Sequence, residues 1–133
     1  LLLAASSGHA AVVRSLLSAG ADVNCTDKNG WTPLYHGAVG GDTEVVDLLL
    51  MAGTDTGTTD QNGWTPLHHA AASNHDAVVR SLLFSGADKD ARDKQGLTPL
   101  HLAVGKRHHT VVRSLLRGGA DKDCVDQGGR TAM

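Results

Sequence analysis

Apolar residues fall along this chain in short blocks at a fixed interval. Val12-Val13-Arg14-Ser15-Leu16-Leu17 sets valine and leucine pairs four positions apart, which puts one apolar stripe on a helix. The block returns as Val78-Val79-Arg80-Ser81-Leu82-Leu83 and Val111-Val112-Arg113-Ser114-Leu115-Leu116, with Val45-Val46-Asp47-Leu48-Leu49-Leu50 in the remaining slot, each step being 33 residues. A second block keeps the same step. Asp27-Lys28-Asn29-Gly30-Trp31-Thr32-Pro33-Leu34 recurs from Asp60 and from Asp93, then frays between Asp126 and Met133. Self-similarity at a fixed period marks a repeat architecture.

Each unit predicts two short helices and a turn. Thr32, Thr65 and Thr98 stand where an N-cap belongs, and Pro33, Pro66 and Pro99 follow at the first helical position, where a missing N–H costs nothing. The first helix runs to Gly8, Gly41, Asn74 and Arg107. Glycine and asparagine tolerate a left-handed turn there, whereas Arg107 would carry strain of about 1 kcal/mol. The second helix, which carries the Val and Leu pairs, ends at Gly20, Gly53, Gly86 and Gly119. Polar segments beyond those glycines predict extended, hairpin-like fingers leading to each Asp-x-x-Gly turn.

Thr65-Pro66-Leu67-His68-His69-Ala70-Ala71 with Gly86-Ala87-Asp88 resembles the ankyrin repeat pattern, as does Thr98-Pro99-Leu100-His101-Leu102-Ala103 with Gly119-Ala120-Asp121. The second unit departs from it at Tyr35, Gly37 and Thr54. The resemblance implies a mainly α solenoid of stacked antiparallel helix pairs with projecting β-hairpin-like fingers. It also implies that His68 and His101 hydrogen-bond the turn, and that fingers and first helices line a concave face. The register divides a single domain, 1–133, into a partial repeat 1–26, full repeats 27–59, 60–92 and 93–125, and a partial repeat 126–133. Apolar ends at Leu1, Leu2, Leu3 and Met133 lead us to expect a piece of a longer array, or ends that self-associate with neighbouring molecules.

Composition narrows the picture further. Hydrophobic residues make up 41% of the chain but aromatics only 3%, so Leu, Val and Ala must fill the core. A net charge of −2 argues against a broad nucleic-acid footprint, and no nucleic acid is expected as a partner. No apolar run approaches the roughly 20 residues that span a bilayer, so no membrane insertion is expected. Leu1-Leu2-Leu3-Ala4-Ala5 lacks the basic flank of a signal peptide. The expected location is intracellular, in the cytoplasm.

Eight histidines invite a metal reading, but the period absorbs most of them. His68 and His101 share the Thr-Pro-Leu-His slot, and His9, His75 and His108 begin second helices. No Cys/His motif of zinc spacing is present. Cys25 and Cys124 share one slot three repeat steps apart, roughly 30 Å, too far for a disulfide. No catalytic constellation, metal site or cofactor is expected, and the chain is not read as an enzyme. Arg14, Arg80 and Arg113 form an outward row that Asp47 interrupts.

The slots that the fold does not fix carry the functional signal. Trp31, Trp64 and Leu97 precede the Thr-Pro steps at the fingertips, and tryptophan is enriched at binding hot spots. The competing reading lays each indole on the neighbouring finger as a stacking element. His36 and His69 share one first-helix slot about 10 Å apart, as contact or solvent-facing residues. Lys28, Asn29, Gln61, Asn62, Lys94, Leu102 and Lys106 complete the expected partner-binding surface, more basic toward Arg92, Lys94 and Lys106. A protein–protein interaction scaffold for another protein or peptide is the expected function. The alternative is a regulatory or targeting segment of a larger enzyme, channel or effector. Leu16, Asp22, Val23 and Asn24 also resemble a substrate pattern for 2-oxoglutarate-dependent asparaginyl hydroxylation, with Asn24 as target, although an ordinary finger residue is the plainer reading.

Overall fold

A computed structural model describes residues 1–132; the expectation for Met133 lies outside the described residues. The described residues form eight helices: α1 (Leu2–Ser6), α2 (Ala10–Ser18), α3 (Pro33–Gly40), α4 (Thr43–Met51), α5 (Pro66–Ala72), α6 (Asp76–Phe84), α7 (Pro99–Gly105) and α8 (His109–Arg117). They pack as pairs, α1 with α2 through α7 with α8, and each pair stacks on the next.

The caps expected from the sequence are in place. Thr32, Thr65 and Thr98 adopt extended backbone, and each hydroxyl accepts the N–H three residues on, from Tyr35, His68 and His101. In the last two, the reciprocal bond is also made, from the Thr N–H to histidine Nδ1 at 3.1 Å and 3.2 Å. Helix α1 has no such cap.

Both turn positions are left-handed throughout. Gly8, Gly41, Asn74 and Arg107 have φ of 67°, 75°, 62° and 59°, so Arg107 does take the conformation that disfavours a side chain bearing Cβ. After the second helices, Gly20, Gly53, Gly86 and Gly119 permit a Schellman closure. The following N–H (Ala21, Thr54, Ala87 or Ala120) donates to the carbonyl of Leu16, Leu49, Leu82 or Leu115.

The core is one continuous ribbon of leucine, valine and alanine. Leu34, Leu67 and Leu100 from first helices meet Leu49, Leu82 and Leu115 from second helices, all essentially solvent-free. Small residues let first helices approach: at Gly37, which replaces the alanine of Ala4, Ala70 and Ala103, a Cβ would lie 3.1 Å from Val46 Cγ2. First helices stack more closely on one another than second helices do, which curves the stack and leaves the second helices on its convex side.

Residues between helix pairs form fingers with almost no regular strand. Among the described residues, one isolated antiparallel bridge joins Val125 to Thr131. Each finger is closed by an aspartate: the N–H of Asp27, Asp60, Asp93 and Asp126 donates to the carbonyl of Trp31, Trp64, Leu97 and Arg130. Among the described residues, no helix is long and apolar enough to cross a membrane.

Candidate functional site

The fingertips and the first helices are tied together by carboxylate–imidazole pairs. Asp27 Oδ1 accepts the N–H of Asn29 and Trp31, which folds the turn, while its Oδ2 accepts from His36 Nε2 at 3.0 Å. Asp60 repeats this with Asn62, Trp64 and, at 2.9 Å, His69. Donation from the Trp31 N–H leads the effects that hold the Asp27 carboxyl below its usual range. Burial pushes Asp60 upward, but N–H donation from Trp64 and Asn62 together with His69 outweighs it and lowers the net value. His36 and His69 are therefore more enclosed than expected, their side chains only 20% and 16% exposed.

His68 and His101 work across the joints between helix pairs. With Nδ1 accepting from the cap threonine, Nε2 carries the proton and donates to the next finger, at Leu97 O (2.9 Å) and Arg130 O (3.2 Å). Burial comes first in lowering the His68 pKa, which matches a neutral ring in this role. A second set of imidazoles ties the helices: His75 Nε2 donates to Val39 O, and His108 Nδ1 to Ala71 O, both at 3.1 Å. The period thus accounts for these histidines by hydrogen bonds.

Tyr35 breaks the series. It occupies the slot of His68 and His101, so the clamp onto the following finger is missing at this joint. Its ring stacks on Trp31 instead (centroids 4.5 Å apart, planes at 25°) and meets the His69 ring edge-on at 4.6 Å. Its hydroxyl donates to Asp60 Oδ2 at 3.5 Å. Burial first, then the Asp60 charge, pushes its pKa up to about 12.

The fingertips respond to the missing clamp. At the two joints with histidine, a main-chain bond links neighbouring fingers, from Lys94 N–H to Asn62 O (3.1 Å) and from Gln127 N–H to Gln95 O (3.0 Å). At the Tyr35 joint, no backbone bond joins the matching Gln61 N–H and Asn29 carbonyl. A Cβ on Gly63 or Gly96 would sit 3.0 Å or 2.9 Å from the next finger, whereas one on Gly30 meets nothing within 4 Å. This joint is open.

Two small clefts run along the fingertips and share Asn62. The one at the open joint, about 230 Å³, is lined by Asn29, Trp31, Asp60, Gln61 and Asn62. Its neighbour, about 270 Å³, is lined by Asn62, Trp64, Asp93, Lys94, Gln95 and Leu97. The structure therefore gathers seven of the residues expected at the surface: Asn29, Trp31, Gln61, Asn62, Trp64, Lys94 and Leu97. Lys28, Leu102 and Lys106 line neither cleft. Arg92, expected toward the basic end, donates to Val125 O at 2.7 Å and holds the last finger.

The two tryptophans differ. Trp64 donates its indole N–H to Asp93 Oδ2 at 2.9 Å, the stacking role weighed against partner contact. Trp31 is half-buried against Tyr35, and among the described residues its indole Nε1–H has no acceptor. Sequence reasoning missed Tyr35, Asp27 and Asp60 as parts of this surface. The departure of Tyr35 from the histidine slot was the available signal for the open joint.

Asn24 is committed between fingers: its Oδ1 accepts from Asp55 N–H at 2.9 Å and from the Thr54 hydroxyl at 3.1 Å. Asp90 does the same for Asp121 N–H at 2.8 Å. Cys25 and Cys124 are free thiols, both half-buried. Among the described residues, no three His, Cys, Asp or Glu side chains are grouped to hold a metal ion.

No curated protein matches the chain. A family model describing ankyrin repeats (3 copies) matches residues 1–93 and 78–133. These matches together span the chain, and it belongs to the ankyrin repeat family.

Proposed function

We propose that this chain is a protein–protein interaction scaffold that holds a partner protein or peptide on its concave finger and first-helix surface. Ankyrin repeats are generally modules of this kind. The finer reading places the contact at the open joint, with Trp31 at its centre and Trp64, Leu97 and Lys94 along its flank. We keep the division into repeats 27–59, 60–92 and 93–125 as the frame for it.

The observation that carries the reading is the unpaired set at this joint. Gln61 N–H and Asn29 O are not joined as their counterparts are at the other joints, and the Trp31 indole N–H lacks the bond to the next finger's aspartate that Trp64 makes. An extended partner segment supplies one carbonyl and one N–H to that main-chain pair and an apolar side chain to the Trp31 face. Indole burial then provides area at little rotamer cost.

Pull-down from native extract with the parent chain and with Trp31→Ala tests this. Trp31→Ala is the cleaner variant, because Trp64→Ala also removes the bond to Asp93. The variant should lose partner while keeping its helical circular dichroism. Equal capture by both proteins would remove Trp31 from the site.

A further inference from the structure

The convex side carries a feature that the concave reading leaves unused. Phe84, the only phenylalanine in the chain, is 96% exposed, and Met51 is 86% exposed. They line, with Leu50, an open groove of about 630 Å³ between α4 and α6, rimmed by Asp47 and Arg80. Isolated exposed apolar residues are ordinary, but two large ones facing a shared groove mark a contact surface.

We propose that this groove is the interface of a two-fold dimer of the chain. The geometry follows from the register. Asp47 and Arg80 are one 33-residue step apart, as are Met51 and Phe84, so each pair sits at one level on neighbouring, like-directed helices. A two-fold axis lying in the interface, along the helix direction between α4 and α6, sets α4 of one copy over α6 of the other. Asp47 then faces Arg80 of the second copy, and Met51 faces Phe84, twice each. The thioether meets an aromatic ring, and opposite charges meet at the rim.

Neighbouring axes do not satisfy both matches. Between α2 and α4, Arg14 would meet Asp47, but Met51 would meet Ser18. Between α6 and α8, Arg80 would meet Arg113, and Phe84 would meet Arg117. Convex curvature also splays α2 away from α8 of the second copy, which keeps Arg14 clear of Arg113. Arg80 already bonds Asp76 at 3.1 Å, which holds its guanidinium at the rim.

Two helices per copy make an interface smaller than the roughly 800 Å² per partner of stable complexes, so the dimer is weak and concentration-dependent. Sedimentation equilibrium of the chain up to about 1 mM, where small interfaces become populated, tests it. The parent should dimerise, and Phe84→Ala should weaken dimerisation at least ~10-fold. Asp47→Arg alone and Arg80→Asp alone should each be monomeric, since each puts like charges face to face. Mixing these two variants restores both ion pairs and should give a heterodimer. A parent that stays monomeric overturns the proposal. So do single charge variants that self-associate like the parent, or a mixture that fails to pair. All three substituted positions are solvent-exposed, and circular dichroism checks that each variant is folded.

Discussion

Trp64 donates its indole N–H to Oδ2 of Asp93 at 2.9 Å, which fastens one fingertip to the base of the next. Trp31 stands 33 residues earlier in the same slot and makes no such bond, because Asp60 Oδ2 is already occupied by His69 and Tyr35. Two slots separate the open joint from the closed one: tyrosine stands for histidine at position 35, and His69 stands where the next unit has Leu102.

Tyr35→His should close the joint. The imidazole gains a cap bond with Thr32 and a bond to Trp64 O, together worth about 2 kcal/mol, and loses the stack on Trp31 and the long hydroxyl bond to Asp60, together about 1 kcal/mol. Stability should rise by about 1 kcal/mol. Exchange of the Gln61 amide proton should slow, and partner capture should fall. Unchanged Gln61 exchange would show that Tyr35 does not set the gap.

Acid should weaken the fold in two stages. The His68 pKa lies below the ordinary 6.5, chiefly through burial, so as pH falls the unfolded chain binds that proton first. Stability conferred by neutral His68 is complete above pH 6.5 and declines below it. Asp27, Asp60 and Asp126 have carboxyls held below 3.8, so their contribution is present above that value and is lost as pH drops further. In Asp126, N–H and side-chain donation from Arg130 is the main cause. Denaturant midpoints measured against pH should show both declines, with the first reduced in His68→Gln. At the alkaline end, Tyr35 is the only tyrosine, so tyrosinate absorbance reports it alone. Its stabilising effect is complete below pH 10.0 and is lost as pH rises toward about 12.

Thr58 buries its hydroxyl without a hydrogen-bond partner, in the slot held elsewhere by Cys25, Ala91 and Cys124. Thr58→Val keeps the shape and removes the unpaired oxygen. It should stabilise the chain by about 1–2 kcal/mol in chemical denaturation. A loss of stability would mean that the hydroxyl has a partner in solution.

Leu82 is fully buried between α6 and its neighbours. Leu82→Ala should cost about 2–5 kcal/mol through the cavity left behind. Since each helix pair contacts only its neighbours, amide exchange should rise first in α4 to α8 and least in α1.

Much of this architecture could be read from residue order. Thr-Pro steps, left-handed glycines and the Val and Leu pairs each answer a local backbone or packing demand, so their spacing alone located caps, turns and core. Even Arg107 was placed at its left-handed turn by register. The fingertip surface was legible as a set of slots, but not in its details. Whether His36 and His69 face water depends on where Asp27 and Asp60 hold their second oxygens, and spacing does not report that. The stack of Trp31 on Tyr35 depends on rotamers and on the gap between two fingers. The exposure of Phe84 is legible only from its counterparts Ser18, Met51 and Arg117, which mark the slot as outward.

A partner protein is expected on the fingertips around Trp31 and not on the second helices. A photo-reactive benzophenone side chain installed in place of Trp31, or separately in place of exposed Glu44 on α4, tests it in native extract. Irradiation should yield a discrete adduct with a different protein from position 31 and none with a different protein from position 44. An adduct with a different protein from position 44 alone would place the partner on the second helices instead.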